Sequence, residues 1–140
     1  MTTASEDFVT SLAVLGFGVD WEWKNGSWWN TPVDLGVRSI TVIMLAQKAR
    51  FVAITAMERP DKEIRLDYQW DVKGQLVSFI TATTAQQMPS ITDLCPAADW
   101  VERETREYFA VEFTGRETTK PLMTRAGDPI GINLHKEVAK

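Results

Sequence analysis

One short stretch of the chain alternates between apolar and polar side chains at every position. Residues 64–70 carry Ile, Leu, Tyr and Trp at every second place, with Arg, Asp and Gln between them. Successive side chains of a β-strand point to opposite faces, so this pattern predicts a strand that buries one face. Residues 71–74 predict a turn, and residues 75–83 predict the strand that follows it. This is the clearest strand signal in the chain.

Other parts of the chain predict strands that extend this sheet. Residues 19–23 alternate Val and Trp with acidic residues, and Asn25-Gly26 is a strong signal for a hairpin turn that leads into Trp28 and Trp29. Residues 51–57 predict a short strand, and residues 59–62 a turn. Residues 84–95 are predicted to be a loop.

Helical patterns surround these strands. Thr3 and Glu6 have the spacing of a capping box for a first helix that ends at Gly16 and Gly18. Residues 31–34 resemble a helix start with proline at the first helical position. Residues 33–48 are ambiguous, because their apolar residues fit a helical face while their β-branched content also suits a strand.

These elements predict one α+β domain in a chain of 140 residues. The domain would contain a mixed or antiparallel sheet of about five strands, two or three helices and an irregular C-terminal tail. We place the domain at residues 1–123 and an extended docking tail at residues 124–140. The tail has dispersed basic side chains and prolines that favour an extended backbone.

Composition excludes several classes of function. A net charge of −4 and a pI of about 5.0 argue against nucleic acid or an anionic membrane as the main partner. The chain has one cysteine, Cys95, and one histidine, His135, too few for an iron–sulfur cluster, a metal site or a disulfide framework. No apolar run approaches the length of a membrane span. We therefore expect a cytoplasmic protein that holds no cofactor or metal and has no catalytic residues of its own.

The segment after Pro96 predicts a short amphipathic helix. Asp99 is expected to be its N-cap, with Glu102 three residues later in a capping-box arrangement. Glu102–Arg106 and Arg103–Glu107 have the four-residue spacing of helical ion pairs. Helical spacing also puts Glu104 on a mostly apolar, buried face with the residues Trp100, Val101, Thr105 and Tyr108. Glu102 and Glu104 diverge by roughly 200° around a helix, which argues against an acid–base pair for hydrolysis.

Six tryptophans invite two interpretations, a ligand-stacking platform or a core with one interface patch. Trp21, Trp23 and Trp70 occupy positions that alternate inward, which favours the core. Trp28 and Trp29 are neighbours in a predicted strand, so one of them must point outward. An exposed tryptophan is typical of a partner interface.

A run of charged and aromatic residues resembles the signature of a known family. Glu102-Arg103-Glu104 is followed by Glu107 and an aromatic pair, then by Arg116, Lys120 and Leu122-Met123. This spacing is similar to that of the thirty-kilodalton subunit of respiratory complex I, which is shared by relatives in energy-converting hydrogenases and formate hydrogenlyase. Glu107 stands where the family usually has Asp, Arg116 where it has His or Lys, and Lys120 where it has Arg. The long basic C-terminal end of the quinone-reducing branch is missing, which favours a hydrogenase-linked relative.

The resemblance implies a function and a set of partners. It places a helix at residues 33–48. It implies a cofactor-free scaffold subunit that braces a hydrogenase-like large subunit beside an iron–sulfur subunit, peripheral to the cytoplasmic membrane through the complex. The residues implied at the signature or the partner interface are Trp28, Trp29, Trp100, Glu102, Arg103, Glu104, Glu107, Arg116 and Lys120. The alternative is a free-standing enzyme or small-ligand-binding domain that uses the tryptophan-rich sheet.

Overall fold

The computed structural model describes residues 21–32, 36–83, 85–116, 130, 131 and 134. They form a mixed five-stranded sheet in the order β1-β2-β5-β4-β3, a separate pair of short strands, and two α-helices. Neighbouring strands of the large sheet are antiparallel except β2 and β5, which run parallel. The elements in chain order are β1 (Glu22–Lys24), β2 (Ser27–Asn30), α1 (Val37–Ala46), β3 (Arg50–Glu58), β4 (Ile64–Val72), β5 (Gln75–Thr83), β6 (Gln87–Pro89), a 3₁₀ helix (Pro96–Ala98), α2 (Asp99–Phe109) and β7 (Glu112–Thr114).

The strands β4 and β5 pair as a hairpin, which confirms the two strands and the turn predicted for residues 64–83, and they lie between β2 and β3 in the sheet. The register of the hairpin runs from Ile64 opposite Thr83 to Val72 opposite Gln75. The two turn residues, Lys73 and Gly74, have φ of 52° and 85°, the backbone of a tight hairpin turn. The first hairpin is confirmed in the same way, since Asn25 and Gly26 have φ of 52° and 78° between β1 and β2.

Residues 37–46 form the helix α1, which confirms the helical interpretation of this region. The helix begins at Val37, after Gly36, and so starts later than the sequence pattern at residues 31–34 predicts. Thr31 and Pro32 are not helical, and residues 33–35 lie outside the described part. The buried face of α1 packs over the sheet and consists of Val37, Ile40, Thr41 and Met44.

The core lies between α1, α2 and one face of the sheet. Leu66, Tyr68 and Trp70 of β4 are at most 2% exposed, and Phe79 of β5 is fully buried beside them. These residues share a face because they alternate along paired strands. This confirms the inward position predicted for Trp70.

Trp23 lies on the same face of the sheet as its buried partner Trp28, as predicted, but its side chain is 51% exposed, so its assignment to the core is wrong. Trp23 lies on β1, one of the two edge strands of the sheet in the described residues, so its ring has neighbouring strand residues on one side alone. It meets Trp28 edge to face at 5.1 Å between ring centroids. Trp21 is half-buried and packs edge to face on Phe79 at 5.9 Å.

Residues 84–95 are not wholly a loop, contrary to prediction. Residues 87–89 form β6, which pairs in parallel with β7. A three-residue strand is too short to show an alternation, so the sequence carries no local signal for it. The first helix predicted near Thr3 and Glu6 lies outside the described residues.

Candidate functional site

The family-like signature is built on α2 and the 3₁₀ helix before it. Pro96 opens the 3₁₀ helix, which runs directly into α2 at Asp99. The N-cap of α2 is Ala98, which makes no side-chain capping bond, so the prediction of Asp99 as N-cap is wrong. Because the 3₁₀ turn already leads into the helix, the Asp99 carboxylate is free to bind another group.

Glu102 is the centre of the site, and its side chain is fully buried. Its Oε1 accepts hydrogen bonds from Ser90 Oγ at 2.7 Å, Thr92 Oγ1 at 2.8 Å and Arg116 Nη1 at 3.0 Å. Its Oε2 accepts the Ile91 backbone N–H at 2.8 Å. We call Glu102, Arg116 and these three residues of the 90–92 loop the Glu102 network. A buried carboxylate needs such donors, and here one side chain ties α2 to the loop after β6.

Arg116 lies at the other side of this network. Its Nη1 also donates to Thr92 Oγ1 at 3.1 Å, and its Nη2 donates to Asp99 Oδ1. Burial acts to lower the pKa of Arg116, but the bonds to Asp99 and Glu102 outweigh burial and raise the pKa above its ordinary value. The guanidinium therefore stays charged and bridges two carboxylates of α2.

The predicted Glu102–Arg106 pair is replaced by other pairs. Glu102 binds Arg116, while Arg106 Nε lies 3.0 Å from both carboxylate oxygens of Glu112. Arg103 Nη1 lies 3.7 Å from Asp99 Oδ2. The signature charges thus stabilise contacts between elements more than contacts along one helix.

Arg38 of α1 holds the 90–93 loop from the opposite side. Its Nη1 donates to Ser90 O at 2.6 Å, and its two terminal nitrogens bind the two carboxylate oxygens of Asp93 at 2.7 and 2.8 Å. This hydrogen-bonded pair lowers the pKa of Asp93 to about 2. Sequence reasoning did not find Arg38, Ser90, Thr92 or Asp93. The only available signal was that a buried carboxylate requires donors, which does not say where in the chain they lie.

The prediction that Glu104 lies on the buried face of α2 is wrong. Glu104 is exposed, and Trp100 is 68% exposed. The buried stripe is instead Ala98, Glu102 and Thr105, at 0%, 1% and 4% exposure. The three residues of this stripe are four and three positions apart, which is helical spacing. The stripe faces a different direction from the predicted one because it includes Glu102, which was predicted to be a capping residue at the surface. Glu107 is also buried, at 2% exposure.

The arrangement supports structure more than reaction chemistry. Both oxygens of Glu102 are engaged by donors of the same chain, so this carboxylate has no free position toward a substrate. Glu102 is buried and Glu104 exposed, so the two do not converge on one point.

Comparison with known proteins identifies the family. Residues 36–138 match the family described as the respiratory-chain NADH dehydrogenase, 30 Kd subunit. The chain belongs to this family. Its signature, as predicted from the spacing of Glu102, Glu107 and Arg116, lies within the matched range.

Individual members of the 30 Kd subunit family show the extent of the likeness. The chain is 30% identical to an NADH-quinone oxidoreductase subunit from Rhodopseudomonas palustris (strain BisB18) over 88 residues, covering 57% of this chain and 44% of that protein. It is 27% identical to the subunit of the same name from Caulobacter sp. (strain K31) over 104 residues, covering 69% and 49%. The chain thus spans less than half the length of these curated relatives.

The fold is also similar to a solved structure, Nqo5 of a trypsin-resistant fragment (1–134). The TM-score is 0.60, and the match covers 82% of this chain and 98% of that one. At 18% identity, this likeness supports the fold alone.

The tryptophan pair of this family member points to opposite faces of the sheet, as predicted. Trp28 is 2% exposed and its Nε1 donates to Gln75 Oε1 at 3.2 Å. Trp29 is half-buried, donates to Lys24 O at 2.9 Å, and has the Arg65 guanidinium 5.7 Å above its ring. Trp29 is therefore the member of the pair nearer the surface.

Part of the C-terminal segment returns to α2. Gly131 N–H donates to Glu107 O at 2.7 Å, which satisfies a carbonyl near the end of the helix. Leu134 packs against the core. The division at residue 123 and the extended form of residues 124–140 stay predictions, and Lys120 lies outside the described residues.

Metal ligands do not cluster in the part of the chain that the structure describes. Among these residues, no three His, Cys, Asp or Glu side chains group to hold a metal ion. Cys95 is buried, and burial raises the pKa of its thiol. His135 is not among the residues described. No α-helix within that part of the chain is both long and apolar enough to cross a membrane.

Proposed function

We propose that this chain is a scaffold subunit of a complex-I-type NADH-quinone oxidoreductase. In this role it braces the hydrogenase-like large subunit beside the iron–sulfur subunit. Membership of the 30 Kd subunit family and likeness to subunits of NADH-quinone oxidoreductases support this kind of assembly. The observation that supports the scaffold role is the Glu102 network. In this network the most buried carboxylate of the signature binds donors of its own domain and so stabilises the fold.

The outward side of α2 is the proposed contact surface. Trp100 is the most exposed of the large apolar side chains described, and Glu104 is exposed on the same helix. A tryptophan at 68% exposure gains much by burial against a partner, and tryptophan is enriched among interface residues that dominate binding. Arg103 of the same helix is a further candidate at this interface. Trp29, on the other face of the sheet, and Lys120 are candidates for separate contacts with the complex.

The subunit is proposed to carry no redox cofactor. One cysteine and one histidine in the sequence cannot supply the ligand set of a cluster. Electrons would pass through neighbouring subunits, and the chain would lie peripheral to the cytoplasmic membrane through the complex, on its cytoplasmic side. The relatives named above favour the NADH-quinone type of complex over the hydrogenase type.

The test is co-purification of the tagged full chain with its assembly from the native host. We expect the large and iron–sulfur subunits of a complex-I-type enzyme to be retained. Recovery of nickel–iron hydrogenase subunits would move the chain to the other branch, and recovery of the chain alone from membranes that hold the intact complex would contradict the proposal.

A single substitution sharpens this test. Trp100→Ala should lower recovery of the large subunit by about tenfold or more, in keeping with a central interface tryptophan. Its melting transition should stay close to wild type, because the ring makes few contacts within the chain. Trp23→Ala is the matched control, since Trp23 is also about half exposed but lies on the outer strand β1. Equal retention by both variants would remove Trp100 from the interface.

A further inference from the structure

The central strand β5 continues past the end of its neighbour β2. Their parallel pairing stops where Asn30 lies opposite Phe79, while β5 extends through residues 80–83. Pro32 has no backbone N–H to donate, which helps to end the ladder on the β2 side. Within the described residues, β4 pairs with residues 80–83 from one side, and no strand lies along the side that β2 leaves. We call residues 80–83 the open edge of β5.

A groove of about 340 Å³ follows this open edge. Its lining includes Ile80, Thr81 and Ala82, which are three successive residues of β5. Successive side chains of a strand point to opposite faces, so a groove that borders all three runs along the edge of the strand and not over one face of the sheet. Met88 and Pro89 of β6 form another part of the wall. The groove therefore gives access to the main chain of β5.

The open edge of β5 lacks the features that keep the outer strands of the sheet from pairing. β1 is three residues long and has the charged residues Glu22 and Lys24 at its ends, and β3 has a bulge between Phe51 and Ala53. Short length, charge and bulges commonly protect a strand edge. Residues 80–83 are Ile, Thr, Ala and Thr, with no charge and no proline. Their unpaired N–H and C=O groups are a template for another strand.

We propose that the groove receives an extended peptide segment of a partner protein, which adds a short strand to the open edge of β5. Main-chain hydrogen bonds to residues 80–83 provide affinity, and the walls of the groove select the side chains. At about 3.3 Å per residue, the open edge pairs with a strand of about four residues. The groove shares no lining residue with the Glu102 network, and the proposal does not depend on the scaffold role.

The walls of the groove indicate the chemistry of the peptide. Pro32, Val37 and Met88 line it and are apolar, which favours apolar side chains in the added strand. Arg59 is the charged residue of the lining. In the described part of the chain its Nη1 donates to Glu63 Oε1, and no bond is seen from its Nε or Nη2. These two nitrogens can donate to a carboxylate, so an acidic residue at one end of the peptide is favoured.

The probe is an acetylated and amidated peptide of valine, threonine, valine, threonine and glutamate, and its fully N-methylated form is the matched control. N-methylation keeps the side chains but removes the N–H donors that strand addition requires. Backbone amide resonances of the full chain report binding. We expect the peptide to shift the resonances of residues 80–83 saturably and to slow hydrogen exchange of the amides that β4 leaves free. The N-methylated peptide should bind at least about tenfold more weakly, as expected for loss of two net hydrogen bonds.

Ala82→Trp tests the position of the site. Ala82 is exposed, so the variant should fold, and a melting curve checks this. The ring narrows the groove and should weaken peptide binding at least about tenfold. Thr55→Trp puts the same ring at an exposed position of β3 and should bind as wild type. Glutamine in place of the peptide's glutamate should weaken binding to wild type about threefold and binding to Arg59→Gln not at all.

Three results would overturn strand addition at the open edge of β5. The first is absence of saturable shifts at residues 80–83 in the wild-type chain. The second is equal affinity for the peptide and its N-methylated form, or equal binding by Ala82→Trp and wild type. The third is slow exchange of all four amides of residues 80–83 in the free chain, because another part of the chain would then occupy the edge.

Discussion

At the residue scale, one buried carboxylate explains why the signature spacing is kept in this chain. Glu102 needs donors from a loop ten to twelve residues before it and from Arg116 fourteen residues after it. Removing the carboxylate would leave two hydroxyls and a backbone N–H without their acceptor, and would leave the Arg116 charge with Asp99 as its one carboxylate partner among the described residues. We therefore expect Glu102→Ala to lower the free energy of unfolding by about 3–5 kcal/mol.

The control for this prediction is Glu104→Ala. Glu104 is exposed, so its loss should change stability by no more than about 0.5 kcal/mol. Urea unfolding of both variants beside wild type measures the two effects. Equal midpoints for the two variants would show that burial of Glu102 does not decide its role.

Tyr68 predicts how stability depends on pH in the alkaline range. Its pKa is raised in the fold from an ordinary value of 10.0, first by burial and then by Glu102. Unfolded chains release this proton near pH 10 while the folded protein retains it, so stability is complete below pH 10 and falls as the pH rises above it. Urea midpoints between pH 8 and 11 should fall less steeply for Tyr68→Phe than for wild type. Parallel curves would show that this hydroxyl does not titrate on unfolding.

At the element scale, local sequence patterns predict the strands and turns. They carry no signal for contacts between residues that are distant in sequence. Residues 64–70 predict β4 because apolar and polar side chains alternate between the two faces of the strand. Asn25-Gly26 predicts its turn because both residue types favour the positive φ that the turn requires. The predicted phase of α2 is wrong because Glu102 has the spacing of a capping residue, and that spacing gives no sign of its donors at residues 90–92. The parallel pairing of β2 with β5 joins strands 49 residues apart at Ser27 and Leu76, and no local pattern encodes it.

The end of α1 gives a prediction about a single backbone position. Ala49 N–H binds Met44 O and Lys48 N–H binds Leu45 O, both at 3.0 Å, the arrangement of a Schellman motif. Lys48 takes the left-handed position with φ of 59°, where glycine is favoured. Lys48→Gly should raise the free energy of unfolding by about 1 kcal/mol. Lys48→Ala keeps the Cβ and should leave stability nearly unchanged, so an equal gain in both variants would assign the effect to charge.

At the scale of the whole molecule, α2 holds the C-terminal segment at two points. Arg116 binds Asp99 and Glu102 near the start of the helix, and Gly131 N–H binds Glu107 O near its end. Gly131 has φ of 82°, and a Cβ there would lie 2.9 Å from Leu134 Cδ1 and 3.1 Å from Ala110 Cβ. Any residue other than glycine at position 131 would displace Leu134 or Ala110, so the close contact between this segment and the end of α2 requires glycine.

This second contact changes what truncation should do. A free docking arm could be removed without loss of stability, but deletion of residues 124–140 removes the Gly131 bond and the packing of Leu134. We expect the deletion to lower the free energy of unfolding by about 1–2 kcal/mol, the sum of partial burial of one leucine and one hydrogen bond. Gly131→Ala should reproduce part of this loss, because its Cβ forces Leu134 or Ala110 to move.

Binding of the large subunit distinguishes two roles of residues 124–140, support of α2 within the chain and contact with the partner. If the basic residues of this segment contact the large subunit, the truncated chain should bind it more weakly than Gly131→Ala does, and added salt should weaken the intact complex more than the truncated one. Pull-downs at low and high salt, with unfolding curves of the same preparations, measure both effects. A truncated chain with wild-type stability would show that the contact at Gly131 contributes nothing to the fold. A truncated chain with wild-type binding would show that residues 124–140 support α2 within the chain and are not a docking segment.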